Sequence, residues 1–100
     1  MLESTVAKHL KTEVAKRQGE TRRAQWIGRN HAPDFRVMLP GACFWVETKR
    51  PHKDPEAAQV REHERMRGYG ETVYVWDTVE KIDEWFKTYD CVIWSKHKCQ

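Results

Sequence analysis

Residues 34–49 read DFRVMLPGACFWVETK, and the way this stretch folds decides the rest. Leu39-Pro40-Gly41-Ala42 is a turn signal, because Pro40 presets φ at the first central position and Gly41 accepts a positive φ at the second. The flanking residues 34–38 and 43–49 are β-branched and aromatic, which predicts two antiparallel strands of a hairpin. If the hairpin is symmetric about Pro40-Gly41, paired residue numbers sum to 81 and Asp34 lies opposite Glu47. Opposed residues share a face, with Cβ atoms ~4.5–5.5 Å apart. Two carboxylates that close repel unless a cation lies between them, and oxygen-only ligands favour Mg²⁺, Mn²⁺ or Ca²⁺ over zinc. Lys49, two residues beyond Glu47, falls on the same face, where an ammonium can position a water or help remove its proton. The arrangement predicts metal-assisted hydrolysis.

Asp-x(12)-Glu-x-Lys is a loose pattern that also fits an ordinary charged strand face. Two neighbours favour the chemical reading. Phe44, Trp45 and Val46 make the strand strongly apolar up to Glu47, so the carboxylate emerges from a central strand. Upstream, residues 2–17 have helical periodicity in Val6, Leu10 and Val14, stopped by Gln18-Gly19, and Glu3 lies on that apolar stripe. A first-turn carboxylate also suits the helix dipole, so Glu3 has two readings. Residues 20–27 (ETRRAQWI) read as a strand, followed by a loop over 28–33. Beyond Lys49, Asp54 and Pro55 suit the cap and first position of a helix over 55–67, ended by Gly68 and Gly70. Residues 72–76 (TVYVW) form a strand, and 78–88 a helix capped by Thr78 with Val79, Ile82 and Phe86 on one face. The expected order is α-β-β-β-α-β-α, an α/β (α+β) mixed sheet with helices packed on it. Residues 90–100 fit a short strand at 91–94 or a frayed tail.

With 100 residues the chain has room for one core, and 39% hydrophobic against 33% charged residues fits a folded domain. No apolar run approaches the ~18 residues of a membrane-spanning helix, and the first residues lack a signal-peptide core. Three cysteines, Cys43, Cys91 and Cys99, favour a reducing, intracellular setting, hence an expected cytoplasmic location. The net charge of +3 is mild, but residues 1–30 hold seven basic side chains against three acidic ones. That local excess, in Lys8, Lys11, Lys16, Arg17, Arg22, Arg23 and Arg29, fits either a solvated face or a phosphate-binding surface.

Glu3 in the first helix, Gly28-Arg29-Asn30-His31-Ala32-Pro33-Asp34, Glu47-Thr48-Lys49-Arg50-Pro51, and Gln59 in the next helix resemble a VRR-NUC domain. This is the virus-type replication-repair branch of the PD-(D/E)XK nucleases, and the resemblance spans residues 3–76 in the right element order. It implies a restriction-endonuclease-like αβββαβ core with a C-terminal helix, residues 1–89 forming the nuclease domain and 90–100 a tail. It further implies a DNA endonuclease dependent on Mg²⁺ or Mn²⁺, a homodimer cutting branched DNA such as four-way junctions. Carried over, Asp34 and Glu47 are metal ligands, joined by the Thr48 carbonyl and Glu3. Lys49 orients the attacking water and offsets developing charge, and Gln59 contacts Lys49 or DNA. Lys8, Arg22, Arg23, Arg29 and Lys53 are then the expected phosphate contacts. One departure is His31, where the family loop usually carries glycine, so a side chain occupies a position suited to positive φ.

Other constellations are weaker. Cys91, His97 and Cys99 with Cys43 or His63 have no standard zinc spacing. Five tryptophans suit core or interface positions, with Trp26 a candidate for base stacking. Gln59, His63 and Met66 share a helical face, on which His63 reads as a packed residue. The rival readings are a catalytically silent nucleic-acid-binding module and a flap or nicking nuclease.

Overall fold

The hairpin folds in the symmetric register. In this computed structural model, which describes residues 3–50 and 55–97, β2 (Phe35–Leu39) and β3 (Ala42–Thr48) pair antiparallel with Phe35 opposite Val46 and Leu39 opposite Ala42. Gly41 takes φ +79°, as the two-residue turn requires. β1 (Glu20–Arg23) lies antiparallel on the free edge of β2. β4 (Val73–Trp76) lies parallel to β3, reached through the crossover helix α2 (Ala57–Gly68). The sheet order β1-β2-β3-β4 makes β3 central. Such a mixed four-stranded sheet with helices on its faces is the expected α+β architecture.

Strand alternation divides the two faces. Phe35, Val37, Leu39, Phe44 and Val46 are buried on one face against Val6, Leu10 and Val14 of α1 (Glu3–Lys16) and Ile82 and Phe86 of α3 (Val79–Tyr89). The Val6–Leu10–Val14 stripe is the one whose periodicity predicts the helix. Thr78 caps α3 by accepting the Lys81 N–H at 3.3 Å. Two polar ties lock the layers together. Tyr89 Oη donates to the Pro40 carbonyl at 2.6 Å, and the Arg17 guanidinium grips Asp90 through Nε at 2.5 Å and Nη2 at 2.8 Å, lying over the Phe86 ring.

Three boundaries depart from the sequence reading, and the expected stop of α1 at Gln18-Gly19 is met. β1 stops at Arg23 instead of Ile27; residues 24–33 are irregular. The cause is side-chain anchoring: Trp26 and Arg29 hydrogen-bond to Glu62 of α2, pulling the chain off the strand path. α2 begins at Ala57, with Glu56 as the cap residue, and Gln59 Oε1 accepts the Glu56 N–H at 3.2 Å. The expected cap Asp54 lies outside the described residues. After α3 the chain is neither strand nor frayed over 90–97: Asp90–Trp94 forms a π-helical turn, followed by α4 (Ser95–His97). Arg17 holding Asp90, and Ile93 and Trp94 packing against the core, explain why helix persists. At the end of α1, the left-handed position is Gln18 (φ +62°), where glycine is the usual choice. Gly19 serves a different need, because a Cβ there would lie 2.6 Å from the Met38 carbonyl oxygen and 2.8 Å from Val14 Cγ1.

α2 lies against β4 and turns Glu62, His63 and Met66 inward. His63 is 1% exposed and its Nε2 has no hydrogen-bond partner. Burial holds its imidazole pKa below the ordinary value, and the nearby Arg67 charge adds to the effect.

Two outcomes follow. Gly19→Ala forces backbone or core atoms to move and lowers stability by about 1–3 kcal/mol, the usual cost of overpacking, measured by urea denaturation. His63 is neutral when folded, whereas the unfolded imidazole titrates near 6.5. Its contribution to stability is complete above that value and is lost as pH falls through it towards the lower folded pKa. Denaturation at about pH 7.5 and about pH 5.5 gives a smaller stability difference in His63→Gln than in the wild type.

Candidate active site

At the open end of the hairpin the last paired residues are Phe35 and Val46; Asp34 follows just outside β2, near enough for its charge to act on Glu47 at the end of β3. The backbone fixes Asp34 on its other side as well, since its carbonyl accepts the Ala24 N–H at 2.8 Å. Its carboxylate Oδ2 accepts from the Thr48 N–H at 3.0 Å and from Thr48 Oγ1 at 2.9 Å. One residue thus links the edge of β1–β2 to the end of β3.

Glu47 is 3% exposed at the end of the central strand. Its Oε2 is gripped twice, by Lys49 Nζ at 3.1 Å and by Gln59 Nε2 at 3.0 Å. Its Oε1 is buried and has no hydrogen-bond partner. The Glu47 carboxyl is therefore pushed above the ordinary range, chiefly by burial and next by the negative charge of Asp34; Lys49 and Gln59 pull it down only in part. A buried acceptor without a donor costs about 1–3 kcal/mol, more when charged, so Oε1 is left with an unmet polar demand.

Lys49 continues the strand ladder by donating its N–H to the Trp76 carbonyl at 3.0 Å, which holds its side chain on the Glu47 face. Gln59 performs two tasks with one amide. Oε1 caps α2 and Nε2 holds Glu47. The sequence reading expects Gln59 against Lys49 or DNA; its contact is the carboxylate that Lys49 also binds.

The remaining expected residues are distributed as follows. Glu3 opens α1, but its side chain lies outside those described, as does all of Lys53. Lys8 and Arg23 line a cavity of about 500 Å³ between α1 and the sheet, together with Lys11, Ser4 and Phe35, and Thr48 is part of its wall. Lys11 and Arg23 both stand over the Phe35 ring, at 5.1 and 5.3 Å from its centroid. Arg22 points away on the edge strand and pairs with Glu20 at 2.5 Å. Arg29 pairs with Glu62 at 2.9 Å. His31 adopts φ +73°, the left-handed conformation that favours glycine. Among the described residues, no three His, Cys, Asp or Glu side chains converge as a ready metal cluster.

Two residues of this region escape the sequence reading as site members. Lys11 has a usable signal, three positions after Lys8 on the same helix face. Glu62 has none: it is one charge among many in REHERMR (residues 61–67), and only the fold reveals that it is buried.

No family model matches the chain. It is 39% identical over 77 residues to a protein named "Putative nuclease p44" from Acyrthosiphon pisum secondary endosymbiont phage 1, an alignment covering 76% of this chain and 83% of that one. A solved VRR-NUC domain shares the fold with a TM-score of 0.80 and 35% identity, covering 87% of this chain and 96% of its own. Similarity at this level, covering 83% of one relative and 96% of the other, makes the chain a member of the VRR-NUC family of nucleases.

Proposed function

We propose that the chain is a divalent-metal-dependent DNA endonuclease that hydrolyses phosphodiester bonds. The observation that carries this reading is the buried, unpartnered Oε1 of Glu47, beside Asp34 and opposite the side gripped by Lys49 and Gln59. An orphaned carboxylate oxygen beside a second carboxylate offers oxygen donors of the kind a hard cation, Mg²⁺ or Mn²⁺, takes. Asp34 and Glu47 would hold it, with the Thr48 carbonyl and Glu3 as the further ligands that the family resemblance implies. A bound cation supplies Lewis-acid neutralisation of charge at the phosphoryl oxygens.

The chain's own residues do the rest. Glu47 is fixed at Oε2, so Oε1 has a single orientation and needs little reorganisation when charge develops. Lys49 holds its ammonium beside the carboxylate pair, where it orients the attacking water and offsets the negative charge gathering on phosphorus oxygens. Thr48 donates twice to Asp34 and keeps that carboxylate from swinging away. The cavity walled by Lys8, Lys11 and Arg23 leads to Thr48 and suits a phosphate backbone, which positions a strand without reading its sequence.

Selectivity for branched DNA such as four-way junctions, and a homodimeric assembly that presents two sites to a symmetric substrate, belong to the same proposal. What supports a dimer is an apolar cavity of about 530 Å³ lined by Trp76, Trp85, Tyr89, Val92 and Ile93, with Val92 54% exposed.

Labelled duplex, flap and four-way-junction DNA, incubated with Mn²⁺ and then with chelator, tests the reading. Cutting requires metal; binding to all substrates without cutting under any metal condition replaces the nuclease by a silent binding module. Glu47→Ala lowers the cleavage rate by about a thousandfold, the scale of several kcal/mol of lost charge stabilisation, while DNA binding persists. Lys8→Ala/Lys11→Ala weakens binding uniformly across sequences and makes the salt dependence shallower by about two units in a log–log plot of affinity against salt.

A further inference from the structure

Between β1 and Asp34 the chain runs through ten residues, 24–33, without regular structure. A loop of that length in a small domain keeps one shape only if something holds it, and here the holder is Glu62 of α2. This carboxylate is 6% exposed. Its Oε2 accepts from Trp26 Nε1 at 2.8 Å, and its Oε1 from Arg29 Nη2 at 2.9 Å and Arg65 Nε at 3.4 Å. Burying a carboxylate is costly, and the donors from the loop are what offset it. The Trp26 ring also meets Trp45 edge-on, with centroids 5.5 Å apart. Two independent contacts therefore preset the loop before any ligand arrives.

The loop so held walls a cavity of about 210 Å³, separate from the basic cavity beside α1, with Gln25, Trp26, Arg29, Asn30 and His31 around it. It is smaller than the ~300–1,000 Å³ typical of sites for drug-sized ligands and far too narrow for a base pair. Its lining is specific in kind. The Gln25 and Asn30 amides each offer a donor and an acceptor, as the edge of a nucleobase demands; the indole offers a stacking surface; Arg29 and His31 suit a phosphate. At the tip stands Ile27, 101% exposed, followed by Gly28 at φ +84°. A fully exposed isoleucine beside a polar cup is the pattern of an apolar wedge that unstacks a base step. The loop ends directly in Asp34, whose carbonyl is bonded to the Ala24 N–H, so its two ends meet at the catalytic carboxylate.

We infer that residues 24–33 form a binding site for a single unpaired nucleotide of DNA. Ile27 abuts the neighbouring base step, and Gln25, Trp26 and Asn30 receive the unstacked base. The inference rests on the DNA-nuclease reading and gives it a physical source of branch selectivity, because fully paired duplex offers no nucleotide to the cup without the cost of unstacking.

Two duplexes of the same sequence, one carrying a single unpaired 2-aminopurine nucleotide, test it by fluorescence titration of the full chain in chelator. The wild type binds the unpaired form about tenfold more tightly, the scale of one base stacked on an aromatic ring, and the 2-aminopurine emission changes on binding. Gln25→Ala/Asn30→Ala and Ile27→Ser each bring that ratio to within about twofold of unity. The ratio is internal to each preparation, so a fraction of unfolded variant does not alter it. Equal affinity of the wild type for both duplexes, or a preference that survives in both variants, overturns the inference. Binding to neither duplex overturns the DNA reading itself, and the inference with it.

Discussion

The burial of Glu47 at the end of the central strand is the constraint from which the rest of the site follows. A carboxylate can be 3% exposed only if its charge is answered locally. Lys49 and Gln59 answer one oxygen; the other stays unanswered, and the adjacent Asp34 adds a second negative charge instead of relieving the first. An apolar strand alone would have placed a valine there at no electrostatic cost. Keeping an acid there costs stability, and in the proposed reading a hard cation would be the partner that offsets it.

The division of the sheet's faces keeps that deficit from spreading. One face, covered by α1 and α3, is a continuous apolar layer that stabilises the domain in the ordinary way. The other carries the Glu47–Lys49 pair and receives the polar inner side of α2. Thr48, which alternation assigns to the apolar side, reaches Asp34 with both its N–H and its hydroxyl and closes the seam between the faces. The basic cavity meets the candidate site at this seam, with Thr48 in the wall of one and against Asp34 of the other.

How much was legible in the sequence follows from how local each determinant is. The hairpin was readable because turn chemistry and register are set within sixteen neighbouring residues: Pro40-Gly41 fixes the symmetry, and the symmetry pairs Phe35 with Val46 as expected, leaving Asp34 just outside the ladder, bonded to Thr48. The helix stripes were readable for the same reason. The loop was not, because residues 24–27 alternate like a strand, and what breaks the strand is Glu62, nearly forty residues downstream in another element. The same non-locality hid the helical course of 90–97, which depends on Arg17 reaching Asp90 across the fold. Lys11 stood in plain view at helical spacing from Lys8, but only the sheet beneath it identifies which face of α1 lines a cavity.

Gln59 shows how closely stability and chemistry are joined here. Its amide must accept from the Glu56 N–H to start α2 and donate to Glu47 to hold the carboxylate. Glutamate would keep the cap and place a third negative charge against Glu47; lysine would keep the donation and leave the cap unmet; leucine would do neither. Among side chains of this length only an amide carries a donor and an acceptor at one end without adding charge. The start of the crossover helix and the orientation of the buried Glu47 carboxylate are thus set by the same group, so a movement of α2 reaches Glu47 through a single planar amide.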